Sequence, residues 1–260
     1  MITQNIRNLI SQILAECDVL DATPTPPPAP SPTIPPALDC LAGTIPPATN
    51  QYADELSETA WLNLRATYRT TMKNAPSGSI VLIGDSMVER MSASAISPYA
   101  VNLGISGESI RQLIYRVNET DINNQPNLIH RAGAVVILTG VNDLSDPRNG
   151  TQANAAATVN FVYDRLKNWL TGKVIICKII PVDQAVFSTP SNSAGIAPVN
   201  AWIDANFGNK PNVRIVDVNA TLAPQGSLLP QYHVDGQHLN SAGNEILQNA
   251  IKVALASFGL

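Results

Sequence analysis

Charge is scarce in this chain of 260 residues: Asp, Glu, Lys and Arg together make up 14%, with a formal net charge of -4. No dense cluster of Lys or Arg occurs, which speaks against a nucleic-acid or anionic-membrane surface as the main partner and favours a neutral or weakly polar ligand. Cysteine is scarce too. The three present, Cys17, Cys40 and Cys177, have no C-x-x-C spacing, so neither a zinc site nor a redox pair is signalled. Cys177 lies in an apolar run and reads as a small core hydrophobe. Cys17 and Cys40 could be bridged in an oxidising compartment, although two free thiols is the simpler reading. Long hydrophobic runs are missing as well: nothing approaches the roughly 18 apolar residues that a membrane span needs. The N-terminus has neither a basic n-region nor a continuous apolar h-region, so no signal peptide is expected and localisation stays open.

Hydrophobic residues are plentiful at 45%, the composition of a globular protein with one sizeable core. Residues 1–22 carry Ile6, Leu9, Ile10, Ile13, Leu14 and Cys17 at helical spacing, an amphipathic helix that needs a partner and is a candidate for oligomerisation or attachment. Residues 23–50 hold ten of the 20 prolines and one charge, Asp39, and read as an extended linker. Residues 51–260 form the third part, an alternation of helices and strands. A helix bearing Ala60, Leu64, Tyr68 and Met72 comes first. Strands are expected at 79–83, 100–103, 134–139, 173–180 and 213–218. Helices lie between them, marked by Ile110, Leu113, Ile114 and Val117, by Val159, Val162, Leu166, Trp169 and Leu170, and by Val199, Trp202 and Ile203. A last one carries Leu247, Ala250, Ile251, Ala254 and Phe258. Ser106 is placed to cap the second helix, and Glu108 to complement its dipole. Such alternation implies a parallel sheet covered on both faces.

In open α/β sheets ligands bind beyond the carboxyl ends of the strands. There the chain reads Gly84-Asp85-Ser86, Gly104-Ile105-Ser106-Gly107 and Gly140-Val141-Asn142-Asp143, and ahead of the last helix Asp235-Gly236-Gln237-His238-Leu239-Asn240. Acyl transfer from an ester needs a nucleophile, a base, a group that orients the base and donors for the oxyanion. Ser86 can serve as the first and His238 as the second. Asp235, three residues earlier, can hold the other ring nitrogen. The backbone N–H groups of Ser86 and Gly104 and the side-chain amide of Asn142 can meet the oxyanion. Asp85 and Asp143 read as loop scaffold, and Trp61, Trp169 and Trp202 as core.

These four segments resemble the conserved blocks of the GDSL, or SGNH, esterase and lipase family over roughly residues 78–258. Ser86, Gly104, Asn142 and His238 match its signature residues in order, with Asp235 in a D-x-x-H arrangement. A lone G-D-S is weak, but its joint occurrence with N-L-G-I-S-G, G-V-N-D and D-G-Q-H-L-N at strand ends is specific. The resemblance implies a three-layer α/β/α, flavodoxin-like fold whose five parallel strands run in the order 2-1-3-4-5, and hydrolysis without a metal or other cofactor. Met87 stands where the family often has leucine, a difference of packing.

The strand-end loops supply few large apolar residues. Met87, Val88, Ile105 and Val234 can line a small acyl pocket, and Asn192, Ser193, Gln225 and Tyr232 a polar rim. This points to short acyl groups, acetyl above all, on a small molecule or a glycan. Three other readings compete. A lipid or thioester acylhydrolase would share the fold, and a glycan-binding module could keep the fold without turnover. A metallohydrolase could use His233, Asp235 and His238 as ligands. His233 is also a rival to His238 as the base, and His130 reads as a surface histidine.

Overall fold

The computed structural model describes residues 59–110, 112–113, 132–145, 172–183, 185–186 and 193–260. The N-terminal helix and linker, the helix around Trp169, the continuation of the second helix from Ile114, and His130 lie outside the described residues.

The described chain opens with helix α1 (Thr59–Asn74). Strand β1 (Ile80–Gly84) leads into a four-residue helix α2 (Ser86–Glu89), and α3 (Ala93–Ile96) precedes β2 (Ala100–Gly104). Then come β3 (Ala134–Leu138), α4 (Val141–Ser145), β4 (Val174–Cys177), α5 (Ser193–Phe207) and β5 (Val213–Val216). A short α6 (Asn219–Leu222), a single 3₁₀ turn (Pro230–Tyr232) and α7 (Ser241–Ala256) complete it. The five strands form one parallel sheet in the order β2-β1-β3-β4-β5, the expected topology. The last two strands are shorter than their sequence pattern predicts: regular pairing in β4 ends at Cys177 and in β5 at Val216.

Because side chains alternate across a strand, the sheet divides its apolar residues between two cores. Val81, Ile83, Val135, Ile137, Val174 and Ile176 face one side, where they meet Ile110, Leu113 and the α5 residues Ile196, Val199 and Ile203. Ile80, Leu82, Val136, Leu138, Ile175 and Cys177 face the other, against Met87, Val88 and the α7 residues Leu247, Ile251 and Leu255. Strands buried on both faces explain why β1, β3 and β4 are continuous apolar runs. Cys177 is buried, as its sequence context suggests, and burial pushes its thiol up to about 12. Just past β4 the buried Asn200 side chain accepts from the Ile179 N–H and donates to the Ile179 carbonyl, at 2.9 and 2.8 Å. The Ile179 peptide groups are thus satisfied where the chain leaves the sheet.

Register does the positioning. Gly84 lies opposite Gly104 in β2 and opposite Leu138 in β3, so the loops that begin at Asp85, Ile105 and Thr139 leave the sheet side by side.

The second helix starts later than its sequence suggests. Ser109 Oγ accepts from the Gln112 N–H, and Gln112 Oε1 accepts from the Ser109 N–H, at 3.2 and 2.9 Å. That reciprocal pair is a capping box. Ser106 is spent elsewhere, its N–H and hydroxyl both donating to Glu89 Oε2. Glu108 turns inward, where its Oε1 accepts from the indole N–H of buried Trp61 at 2.9 Å.

Ile137 is fully buried in the central strand, and Ile137→Ala should lower the unfolding free energy by about 2–5 kcal/mol. Urea titration of the two proteins would measure this.

Candidate active site

Asp85 directly follows β1 and caps α2: its Oδ1 accepts from the Met87 N–H at 2.9 Å. This is the scaffold role its position suggests, and it places Ser86 at the first position of the helix, directly above the sheet. From 152 residues further on, His238 brings Nε2 to 2.8 Å from Ser86 Oγ, and His238 Nδ1 lies 2.6 Å from Asp235 Oδ2.

The segment that holds His238 is a tight turn. The Val234 N–H donates to the His238 carbonyl and the Asn240 N–H to the Tyr232 carbonyl, at 2.9 and 3.0 Å. Inside it, Asp235 Oδ1 accepts from the N–H groups of both Gln237 and His238, at 3.1 and 2.8 Å. Gly236, at φ +89, takes the left-handed conformation on which the turn depends. Partial burial pushes the Asp235 carboxyl up, but the backbone N–H and the ring of His238 and the Gln237 N–H outweigh it and hold the group at about 2. Asp235 is therefore ionised and can only accept. Its partner Nδ1 must carry the imidazole proton, which leaves Nε2 as the acceptor facing the Ser86 hydroxyl.

Three further carboxylates matter here. Arg90 Nη1 stands 3.8 Å from Asp235 Oδ2, an exposed pair of small energetic weight. Asp85 is buried beneath Ser86 beside Glu108 and Asp143; burial is the main cause that raises its carboxyl to about 7, the two acids add to it and the Met87 N–H opposes it. Its Oδ2 meets no donor among the described residues. A small cavity lies there, lined among others by Asp85, Met87, Leu138, Val141 and Gln237.

The structure corrects Gly104 as an oxyanion donor. Its N–H donates to Asn102 Oδ1 at 2.9 Å, so it is already taken. What the glycine provides is close approach: a Cβ there would stand 2.2 Å from the Glu89 backbone nitrogen. Asn102 also donates through Nδ2 to the carbonyls of Val88, inside α2, and Met91, just past it. Gly107, three residues on, sits at φ +76 in a turn closed by the Glu108 N–H donating to the Ile105 carbonyl at 3.1 Å. Asn142 Nδ2 donates to the Glu108 carbonyl at 3.0 Å, which sets its amide against that turn and leaves one amide hydrogen over.

Two pocket assignments also change. Val88 and Ile105 are 0% and 1% exposed: Val88 sits in the core between α2 and the sheet, and neither can touch a ligand in solvent. Met87 lines the small cavity, and Val234 is 64% exposed on the His238 turn. Of the suggested rim, Asn192 is outside the described residues, Gln225 is exposed and Tyr232 packs partly on the core. His233 pairs instead with Asp183, its Nε2 lying 3.1 Å from Asp183 Oδ2. Asn102, Glu89 and Asp183 were missed, since in sequence each is an ordinary polar residue whose partner comes from another segment.

The arrangement sets a serine hydroxyl against an imidazole whose other ring nitrogen meets a carboxylate, at the end of an open parallel sheet. The chain belongs to the GDSL-like Lipase/Acylhydrolase family, whose model matches residues 82–246. Solved structures with the same fold include a GDSL-like lipase from Bacteroides thetaiotaomicron at 22% identity and TM-score 0.57, which covers 76% of this chain and 99% of that one. Another is the lipase/acylhydrolase from Enterococcus faecalis, at 19% identity and TM-score 0.53, covering 70% and 96%. A third is a G-D-S-L lipolytic protein from Veillonella parvula, at 18% identity and TM-score 0.51, covering 70% and 98%. No curated protein matches the chain.

The Asp85 carboxyl gives a stability prediction with a definite sign. Unfolded it titrates near 3.8 and folded near 7, so the folded state holds a proton that the unfolded state releases between those values. Stability should therefore fall by on the order of a few kcal/mol as pH rises from about 4 to 7, and level off above. Asp85→Asn keeps an acceptor for the Met87 N–H and should lose this part of the slope. Urea midpoints of both proteins at pH 5 and pH 8 would show it.

Proposed function

We propose that the chain is a serine esterase that removes short acyl groups, acetyl above all, from a small-molecule or glycan ester. The observation that carries this is the continuous hydrogen-bonded line from Ser86 Oγ through His238 to Asp235, at 2.8 and 2.6 Å. In the proposed cycle Ser86 Oγ attacks the ester carbonyl carbon while His238 Nε2 takes the hydroxyl proton. That proton then passes to the departing alkoxide, which leaves as the alcohol. Water attacks the acyl-serine in the second half, again losing its proton to Nε2, and Ser86 regains a proton as the acid departs. Asp235 stays ionised throughout and supports the imidazolium. The oxyanion would be met by the N–H groups of Ser86 and Gly107, for which no acceptor occurs among the described residues, and by the second amide hydrogen of Asn142. No cofactor is needed for these steps.

The preference for short chains rests on packing. A long acyl chain needs a continuous apolar groove, at about 0.8 kcal/mol per buried methylene. With Val88 and Ile105 committed to the interior, Met87 and Val234 remain, enough for a small group. Among the described residues no helix is long and apolar enough to cross a membrane, and no group of three His, Cys, Asp or Glu side chains is arranged to hold a metal.

Ser86→Ala and His238→Ala should each abolish nearly all hydrolysis of a chromogenic acetate ester without unfolding the protein; a folded Ser86→Ala protein with full turnover would reject the esterase reading and favour a binding module. Asn142→Ala should lower kcat by on the order of 10²-fold with little change in KM, as expected of a donor used in the transition state. Across acetyl, butyryl, octanoyl and palmitoyl esters of one alcohol kcat/KM should be highest at acetyl. A steady rise to palmitoyl would make the protein a lipase.

A further inference from the structure

Behind the His238 turn lies a second histidine–aspartate pair that the proposed reaction does not use. His233 Nε2 is 3.1 Å from Asp183 Oδ2, and the two side chains are only 7% and 8% exposed. The other ring nitrogen, Nδ1, accepts from the Gly236 N–H at 2.9 Å. A backbone amide can only donate, so Nδ1 carries no hydrogen; the ring proton is on Nε2 and is donated to Asp183. Asp183 is itself pinned, its Oδ1 accepting from the Ala185 N–H at 3.0 Å. The Asp183 N–H in turn donates to the Gly236 carbonyl at 2.6 Å. Both polar groups of Gly236 are therefore held by this pair, and Gly236 is the residue between Asp235 and the Gln237-His238 step.

We propose that His233 and Asp183 are positioning residues, a latch that fastens the Asp235–His238 turn to the loop beyond β4 and so keeps His238 Nε2 on Ser86 Oγ. The inference rests on the reading of Ser86 and His238 as the reacting pair. Its physical basis is the source of the turn's support. The hydrogen bonds inside the turn fix Asp235 relative to His238, but they do not fix the turn relative to the sheet that carries Ser86. Leu239 and Asn240 anchor its far end, through the buried Leu239 side chain and the Asn240 cap of α7. On the Gly236 side the ties to Asp183 are what join it to the β4 end of the sheet. A serine and an imidazole misplaced by about an ångström can lose on the order of 10²-fold in rate. The role differs from that of a base: His233 has no nitrogen left for a substrate, since one is occupied by Gly236 and the other by Asp183.

The test compares His233→Phe, His233→Asn and Asp183→Ala with the parent protein and with Ser86→Ala, using kcat and KM for a soluble acetate ester well below each protein's melting temperature. Phe keeps the ring and removes both hydrogen bonds, whereas Asn can offer Oδ1 where Nδ1 accepted from Gly236. His233→Phe should lower kcat by on the order of 10- to 100-fold with KM changed by less than about threefold. His233→Asn should recover most of the loss. A folded His233→Phe protein with unchanged kcat would overturn the latch, and so would an Asn variant no better than Phe, the pattern expected if His233 were itself the base. Should His233→Phe fail to fold, Asp183→Ala decides: a several-fold drop in kcat at constant KM supports the latch, and unchanged kcat overturns it. Activity surviving in Ser86→Ala would instead reject the underlying reading, whatever the latch variants do.

Discussion

An imidazole can take a proton from a hydroxyl only through the nitrogen that has none, and in this chain the Asp235 carboxylate decides which nitrogen that is. Three hydrogen-bond donors, two of them backbone N–H groups, keep Asp235 ionised and immobile. With Nδ1 committed to it, Nε2 is left to face Ser86. The D-x-x-H spacing makes this possible because the turn brings the carboxylate back on to its own histidine, so orientation of the base is solved locally. Meeting the serine is not a local matter, since the two residues are 152 positions apart. The sheet, its in-register strand ends and the packing of α7 have to supply that.

Asp235 and Asp85 show how environment divides one side-chain type between opposite tasks. Asp235 is half exposed, surrounded by donors, and held at about 2. Asp85 is buried among other acids, one of its oxygens meeting no donor among the described residues, and stands at about 7. The first is suited to supporting a cation that comes and goes. The second fixes the N-terminus of α2, where Ser86 sits, and costs stability once it must ionise in place. Unsatisfied buried polar groups collect at functional sites because geometry there is set by chemistry as well as by packing.

Much of this was legible in the chain itself. Continuous apolar runs at residues 80–83, 134–138 and 174–177 mark strands buried on both faces, and the helical spacing of Val199 and Ile203 or of Leu247 and Ile251 marks the faces that cover them. These patterns follow from the periods of strand and helix. The pairing of Asp235 with His238 is equally local. Ser106 and Ser109 are both good capping residues by type, and only the turn at Gly107 decides that Ser109 meets the start of the second helix.

Tertiary structure decided the rest, and the reason is the same in each case: a side chain's neighbours come from segments far apart in the chain. Val88 and Ile105 follow Ser86 and Gly104 closely enough to suggest a pocket, yet the sheet turns them inward. Gly104 and Gly107 are equivalent as letters, and it is Asn102 and the Glu89 backbone that make the first a packing contact, whereas the N–H of the second meets no acceptor among the described residues. His233 and His238 are both near Asp235 in sequence. Asp183, 50 positions from His233, pairs with that ring instead. The sequence by itself determined the order of strands and helices, the chemical groups at the strand ends and the internal geometry of the histidine turn, because backbone periodicity and short-range hydrogen bonds act within a few residues. Which donor is open, which apolar side chain a ligand can touch and which histidine faces Ser86 were settled only when packing brought remote segments within contact distance.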